Sequence, residues 1–103
     1  MAKRKPDIAI IGSGVVGTAL GVLAQRAGYR VTAVASRSEV SAAKAARLIG
    51  PTAEVCDIAS AAGRGQLVLL TVPDSAIAAV AEELAQCGAV SPGTVVAHCS
   101  GAL

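Results

Sequence analysis

Gly12, Gly14 and Gly17 carry the strongest chemical signal in the sequence, because their Gly-x-Gly-x-x-Gly spacing is the one that brings a backbone against a diphosphate. Each position answers a different demand. Gly12 lets the chain turn sharply out of a strand, Gly14 leaves room for phosphate beside the backbone, and Gly17 lets the next helix pack closely on a sheet. The free N–H groups at the start of that helix would then face the phosphate charge. The flanks agree: Ile8, Ile10 and Ile11 make an apolar strand before the turn, and Val16, Leu20, Leu23 and Ala27 recur at helical spacing after it.

A second group follows at Ser36, Arg37 and Ser38. About twenty residues beyond such a turn, an acid would accept hydrogen bonds from the ribose hydroxyls of NAD. No acid stands at this strand end, and Glu39 already lies inside the next predicted helix. Arg37 offers a guanidinium fork suited to a phosphate, and Ser36 and Ser38 offer hydroxyls. The pattern predicts NADP, with its additional ribose phosphate, over NAD.

The elements that must position these groups are legible as alternating strands and helices. Strands are predicted at 7–11, 29–35, 53–55, 66–72 and 94–97, and helices at 15–27, 39–49, 58–62 and 75–86. Val31 and Val34 are the expected core of the second strand. Gly28 is placed as the C-cap of the first helix and Ser38 as the N-cap of the second, which Gly50 and Pro51 end. On the last helix, Ile77, Val80, Ala81 and Leu84 are the expected apolar side, with Glu82 and Glu83 facing water. Pro73 closes the fourth strand, so Thr71, Val72, Pro73 and Asp74 are expected in the loop that flanks the cleft, Asp74 doubling as a first-turn acid.

Composition excludes several classes. The chain has 103 residues, 53% of them hydrophobic and one aromatic, enough for one aliphatic core and too few for two ordinary domains. The formal charge of +2 comes largely from Lys3, Arg4 and Lys5, which leaves the rest near neutral and argues against a nucleic-acid surface. The uncharged run from Ile8 to Gln25 imitates a signal peptide or short membrane span. It carries the glycine motif and leads into another strand, so a cytoplasmic protein is expected. Cys56, Cys87 and Cys99 have no paired spacing and read as reduced, mostly buried thiols; with a single histidine, no metal site is expected. Residues 1–6 read as a flexible lead-in.

The segments Ile11 to Gly17, Val34 to Ser38, Leu70 to Ile77 and His98-Cys99-Ser100-Gly101-Ala102-Leu103 together resemble a known family. It is the N-terminal Rossmann-like domain of uncharacterised oxidoreductases that carry a C-terminal domain of unknown function designated DUF2520. These are related in fold to pyrroline-5-carboxylate reductase and to the 6-phosphogluconate and 3-hydroxyisobutyrate dehydrogenases. The resemblance covers nearly the whole chain. It implies a three-layer α/β Rossmann fold over 7–103, with parallel strands in the order 3-2-1-4-5, followed in the full protein by a helical domain that completes the substrate site and a homodimer.

The resemblance also implies roles. It sets Gly12, Ser13, Gly14, Val15, Val16, Gly17, Ser36, Arg37, Ser38, Val72, Pro73, Asp74 and Ile77 at the cofactor, and His98, Ser100 and Gly101 at the substrate side. His98 would exchange a proton with a substrate hydroxyl or imine, and Ser100 or the Gly101 N–H would hold a substrate oxygen. The resemblance supplies no reaction; the dinucleotide reading itself leads to the expectation of hydride transfer between NADP and a small hydroxy acid, keto acid or imine. The alternative is a regulatory module that senses a nucleotide without turning it over.

Overall fold

The computed structural model describes residues 5–12, 14–72, 74–88 and 93–98. Its elements run β1 (Asp7–Ile11), α1 (Val15–Arg26), β2 (Arg30–Ala35), α2 (Glu39–Ile49), β3 (Glu54–Val55), α3 (Ile58–Ala62), β4 (Leu67–Leu70), α4 (Asp74–Cys87) and β5 (Val95–His98). The strands form one parallel sheet in the order β3-β2-β1-β4-β5, as expected. Parallel pairing forces each connection to cross a face of the sheet, which is why helices separate the strands.

The two faces bury different residues. Ile8, Ile10, Val31 and Val34 pack against Ala42, Ala45 and Ile49 of α2, with Val22 and Ala24 of α1 partly buried beside them. Ala9, Ile11, Ala33, Ala35, Val68 and Leu70 pack on the other face against Ala61 and Ala62 of α3 and Val80 and Leu84 of α4. Central β1 is covered on both sides, which accounts for its unbroken aliphatic sequence.

Val31 and Val34 are three apart and would point to opposite faces of a regular strand. They share one because β2 carries an extra residue: Ile8 stands opposite Val31, but Ala9 stands opposite Ala33. Thr32 is the bulged residue, and its hydroxyl donates to the Arg64 carbonyl at 2.8 Å, tying the bulge to the loop before β4.

The stripe of Val16, Leu20, Leu23 and Ala27 is not the buried side of α1. Leu23 is 60% exposed, while Gly17 and Gly21 are buried. A Cβ on Gly21 would come 2.4 Å from Ile49 Cδ1 and 2.9 Å from Ile10 Cδ1, so large side chains from β1 and α2 occupy the space that α1 leaves. The helix lies close on its neighbours through its smallest residues. It ends at Ala27, with Gly28 one position beyond at φ +92°; the Gly28 N–H donates to Gln25 O and the Tyr29 N–H to Ala24 O.

Boundaries elsewhere shift slightly. β4 is shorter than the predicted 66–72, β5 ends at His98, and α4 begins at Asp74. Ala81 is exposed, whereas Val80 and Leu84 are buried as expected and Ile77 is half-buried. Cys56 is half-buried rather than enclosed, and Cys99 lies outside the described residues. Lys5, assigned to the flexible lead-in, donates through Nζ to the Ala27 carbonyl at 2.5 Å and sits 5.0 Å from the Tyr29 ring centroid. A cation there complements the carboxyl end of α1.

A candidate dinucleotide cleft

The carboxyl ends of β1, β2 and β4 open into one cleft of about 580 Å³. Ile11, Gly12, Gly14, Val15 and Val16 line it from the first corner, Ser36 and Arg37 from the second, and Ile58 from the start of α3. Thr71, Val72, Ser75, Ala76 and Val80 close the remaining side. This is the position at which open parallel sheets take ligands, where neighbouring connections leave in opposite directions.

The glycine turn is built mostly from main chain. The Gly12 N–H donates to Ala35 O at 2.7 Å, and the Thr71 N–H donates to Ile11 O at 2.8 Å, so the turn is held between the ends of β2 and β4. Gly12 has φ +103°, and a Cβ there would sit 2.9 Å from the Thr71 carbonyl carbon. Gly17 is packed tighter: its Cβ would fall 2.3 Å from Gly12 O and 2.5 Å from Thr71 Oγ1. Gly14 differs from both, since nothing lies within 4 Å of where its Cβ would stand. The three glycines thus divide into two that admit close packing and one that opens onto the cleft.

Gly14 is the N-cap of α1, with no side-chain cap, and no acidic residue occupies the first turn. The first helical bond runs from the Thr18 N–H to Gly14 O. The N–H groups before it have no acceptor within the helix, and an anion in the cleft would supply one. These features fit a diphosphate: open space at Gly14, uncapped donors at α1 and no carboxylate among them.

The second corner is built from side chains. Ser36 Oγ accepts from the Ser38 N–H at 3.3 Å, and Ser38 Oγ accepts from the Ser41 N–H at 3.2 Å. Ser38 is therefore the cap of α2, as expected, and it does not line the cleft, although its hydroxyl proton can still be donated. Arg37 is exposed at the rim. Glu39 stands in the first turn of α2, where it complements that helix's own dipole.

Of the remaining expected residues, Val72 lines the cleft and Ile77 does not; Ser75 and Ala76 line it from the same helix. His98 ends β5 opposite Leu70, at the same edge of the sheet as the glycine turn, and is exposed without lining the cleft. Ser13, Pro73, Ser100 and Gly101 lie outside the described residues. Ile58 was not anticipated. A helix that starts three residues after a parallel strand must begin at the strand's carboxyl edge, and the Asp57-x-x-Ser60 spacing marked that start: Asp57 Oδ1 accepts from the Ser60 N–H at 2.7 Å.

The sheet order, the crossovers and this cleft define an α/β domain of the nucleotide-binding kind. The chain belongs to the family described as the Rossmann-like domain, which matches it over residues 1–103. It is 34% identical over 91 residues to glycerol-3-phosphate dehydrogenase [NAD(P)+] of Moorella thermoacetica, covering 78% of this chain and 27% of that protein. Among solved structures it is similar to a candidate NADP oxidoreductase of Bacteroides fragilis, with 28% identity and a TM-score of 0.81 over 94% of this chain and 37% of that one. An imine reductase from Myxococcus stipitatus, a variant solved with NAD+, shares the fold at 23% identity and a TM-score of 0.74, over 94% of this chain and 32% of its own. The chain therefore spans about a quarter to two fifths of the length of these relatives.

Proposed function

We propose that this chain is the cofactor domain of an oxidoreductase and that it binds NADP in preference to NAD. The observation that carries the reading is the pairing of the two corners: uncapped helix donors beside open Gly14, and Arg37 on the rim at the end of β2. The first suits the diphosphate common to both dinucleotides, and the second suits the ribose phosphate of NADP.

In the full protein the domain works with a partner domain of the kind found with DUF2520, which encloses the substrate and forms a homodimer in the cytoplasm. The substrate is a small hydroxy acid, keto acid or imine, and the nicotinamide carries the hydride. His98 handles the substrate proton, and Ser100 and Gly101 hold its oxygen. His98's place at the carboxyl edge of β5 supports this assignment.

Calorimetric titration of the chain with NADPH and NADH tests the reading. Saturable binding of both, tighter for NADPH, is expected. Failure of both dinucleotides to bind overturns the cofactor assignment, and equal affinities overturn the NADP preference.

A further inference from the structure

We infer that the Thr71 hydroxyl is a positioning residue for the diphosphate, acting through the Gly12 carbonyl; this rests on the dinucleotide reading above. Two elements converge on that one oxygen, the end of β4 through Thr71 and α1 through Gly17. Thr71 Oγ1 donates to Gly12 O at 2.7 Å, with Ile11 O at 3.2 Å as a weaker second acceptor. Gly17 leaves the space in which the hydroxyl and the carbonyl meet, since a Cβ on it would stand 2.5 Å from the one and 2.3 Å from the other. The Thr71 N–H bond to Ile11 O fixes where the threonine stands relative to the turn.

The electrostatic consequence concerns the anion. A peptide carbonyl carries partial negative charge, and Gly12 lines the cleft at the point where the chain leaves β1. With no side chain to restrict it, a glycine peptide has alternative orientations, and one that turned its oxygen toward a diphosphate would repel it. The threonine proton ties the oxygen to the Thr71 and Gly17 side of the turn, so that the α1 donors meet the phosphates unopposed. Thr71, itself at the cleft wall, thereby acts through the Gly12 carbonyl. Its second role, packing, is shared by valine, which has the same shape and lacks the proton.

The test compares the wild type with Thr71→Val, Thr71→Ala and Thr71→Ser by titration with NADPH and, in parallel, with adenosine 2′-monophosphate, which lacks the diphosphate. Loss of the hydroxyl in Val or Ala should weaken NADPH binding by about tenfold, Ser should restore it to within about threefold, and the monophosphate should bind all four proteins alike. The Ala variant carries the test if Val does not fold. The inference is overturned if the hydroxyl-free variants bind NADPH as the wild type does, if Ser behaves as they do, or if the monophosphate weakens in proportion. A wild type that binds the monophosphate but no dinucleotide overturns the reading of the cleft itself.

Discussion

Two strand-to-helix corners line the same cleft, and they treat the start of their helices in opposite ways. After β2, Ser38 caps α2 and Glu39 adds a negative charge to its first turn, so that this helix satisfies its own N-terminus. After β1, Gly14 supplies no cap and the first turn of α1 has no acid. The unsatisfied corner is the one with room for a ligand. The satisfied corner contributes charge instead through Arg37, a side chain outside the helix. On the reading proposed above, a diphosphate would be met by fixed backbone donors and a ribose phosphate by a long, adjustable guanidinium, which would separate what selects dinucleotides as a class from what selects among them.

The largest effect that would break this comparison lies within the first corner. Gly17→Ala puts a methyl group against backbone at Gly12 and should destabilise the chain by about 1–3 kcal/mol, with dinucleotide affinity falling as the turn shifts. Gly14→Ala meets nothing, so stability should stay within about 0.5 kcal/mol, its weaker cap offset by reduced freedom of the unfolded chain. Its methyl group nevertheless enters the space assigned to phosphate, and affinity should fall. Thermal melts and titrations of both variants check this; equal binding by Gly14→Ala and wild type would remove the diphosphate from that position.

The second corner is sharpened by Arg37→Ala. Loss of a charged hydrogen-bonding partner should weaken NADPH by about 10–100-fold and leave NADH nearly unchanged, because the guanidinium is exposed and supports nothing in the core. A parallel loss of both cofactors in titration would mean that Arg37 serves the adenosine or the fold rather than the phosphate.

These corners also show what sequence could reveal. The glycine spacing, the Ser38 cap and the five strand segments were readable because each rests on a local rule: a positive φ, a capping oxygen, or an apolar run between turns. The burial of α1 was not, because Val16, Leu20 and Leu23 satisfy the periodicity rule while the contact surface runs through Gly17 and Gly21. Glycines have no hydrophobic signal, and only the bulk of Ile10 and Ile49 opposite them gives the packing its meaning. The Thr32 bulge was hidden for a related reason, since the bond that ties it down reaches Arg64, 32 residues away. At the cleft, Thr71 was placed correctly beside the turn, but its bond to Gly12 needs β1 and β4 to be neighbours, which no local spacing encodes.

The smallest expected effect extends the comparison from α1 and α2 to α3, whose cap is a carboxylate. Hydrogen bonds from Ser60, chiefly from its backbone N–H, hold Asp57 below its ordinary pKa of 3.8. A depressed carboxylate contributes stability that is present above its unfolded pKa and lost as pH falls through its folded one. The charge-dependent part of the α3 cap should therefore be complete at neutral pH and be lost progressively as pH falls below 3.8, whereas the Ser38 hydroxyl has no proton to gain over that range. Asp57→Ala should melt below wild type at pH 7, by a margin that narrows under acid. Ser38→Ala should lose about 1 kcal/mol, or roughly 4–8 °C, by an amount that does not vanish with pH. If the Asp57 difference persists unchanged in acid, the carboxylate charge is not what holds α3, and a neutral carboxyl oxygen accepting from Ser60 suffices to fix the start of that helix, with Ile58 at the cleft wall.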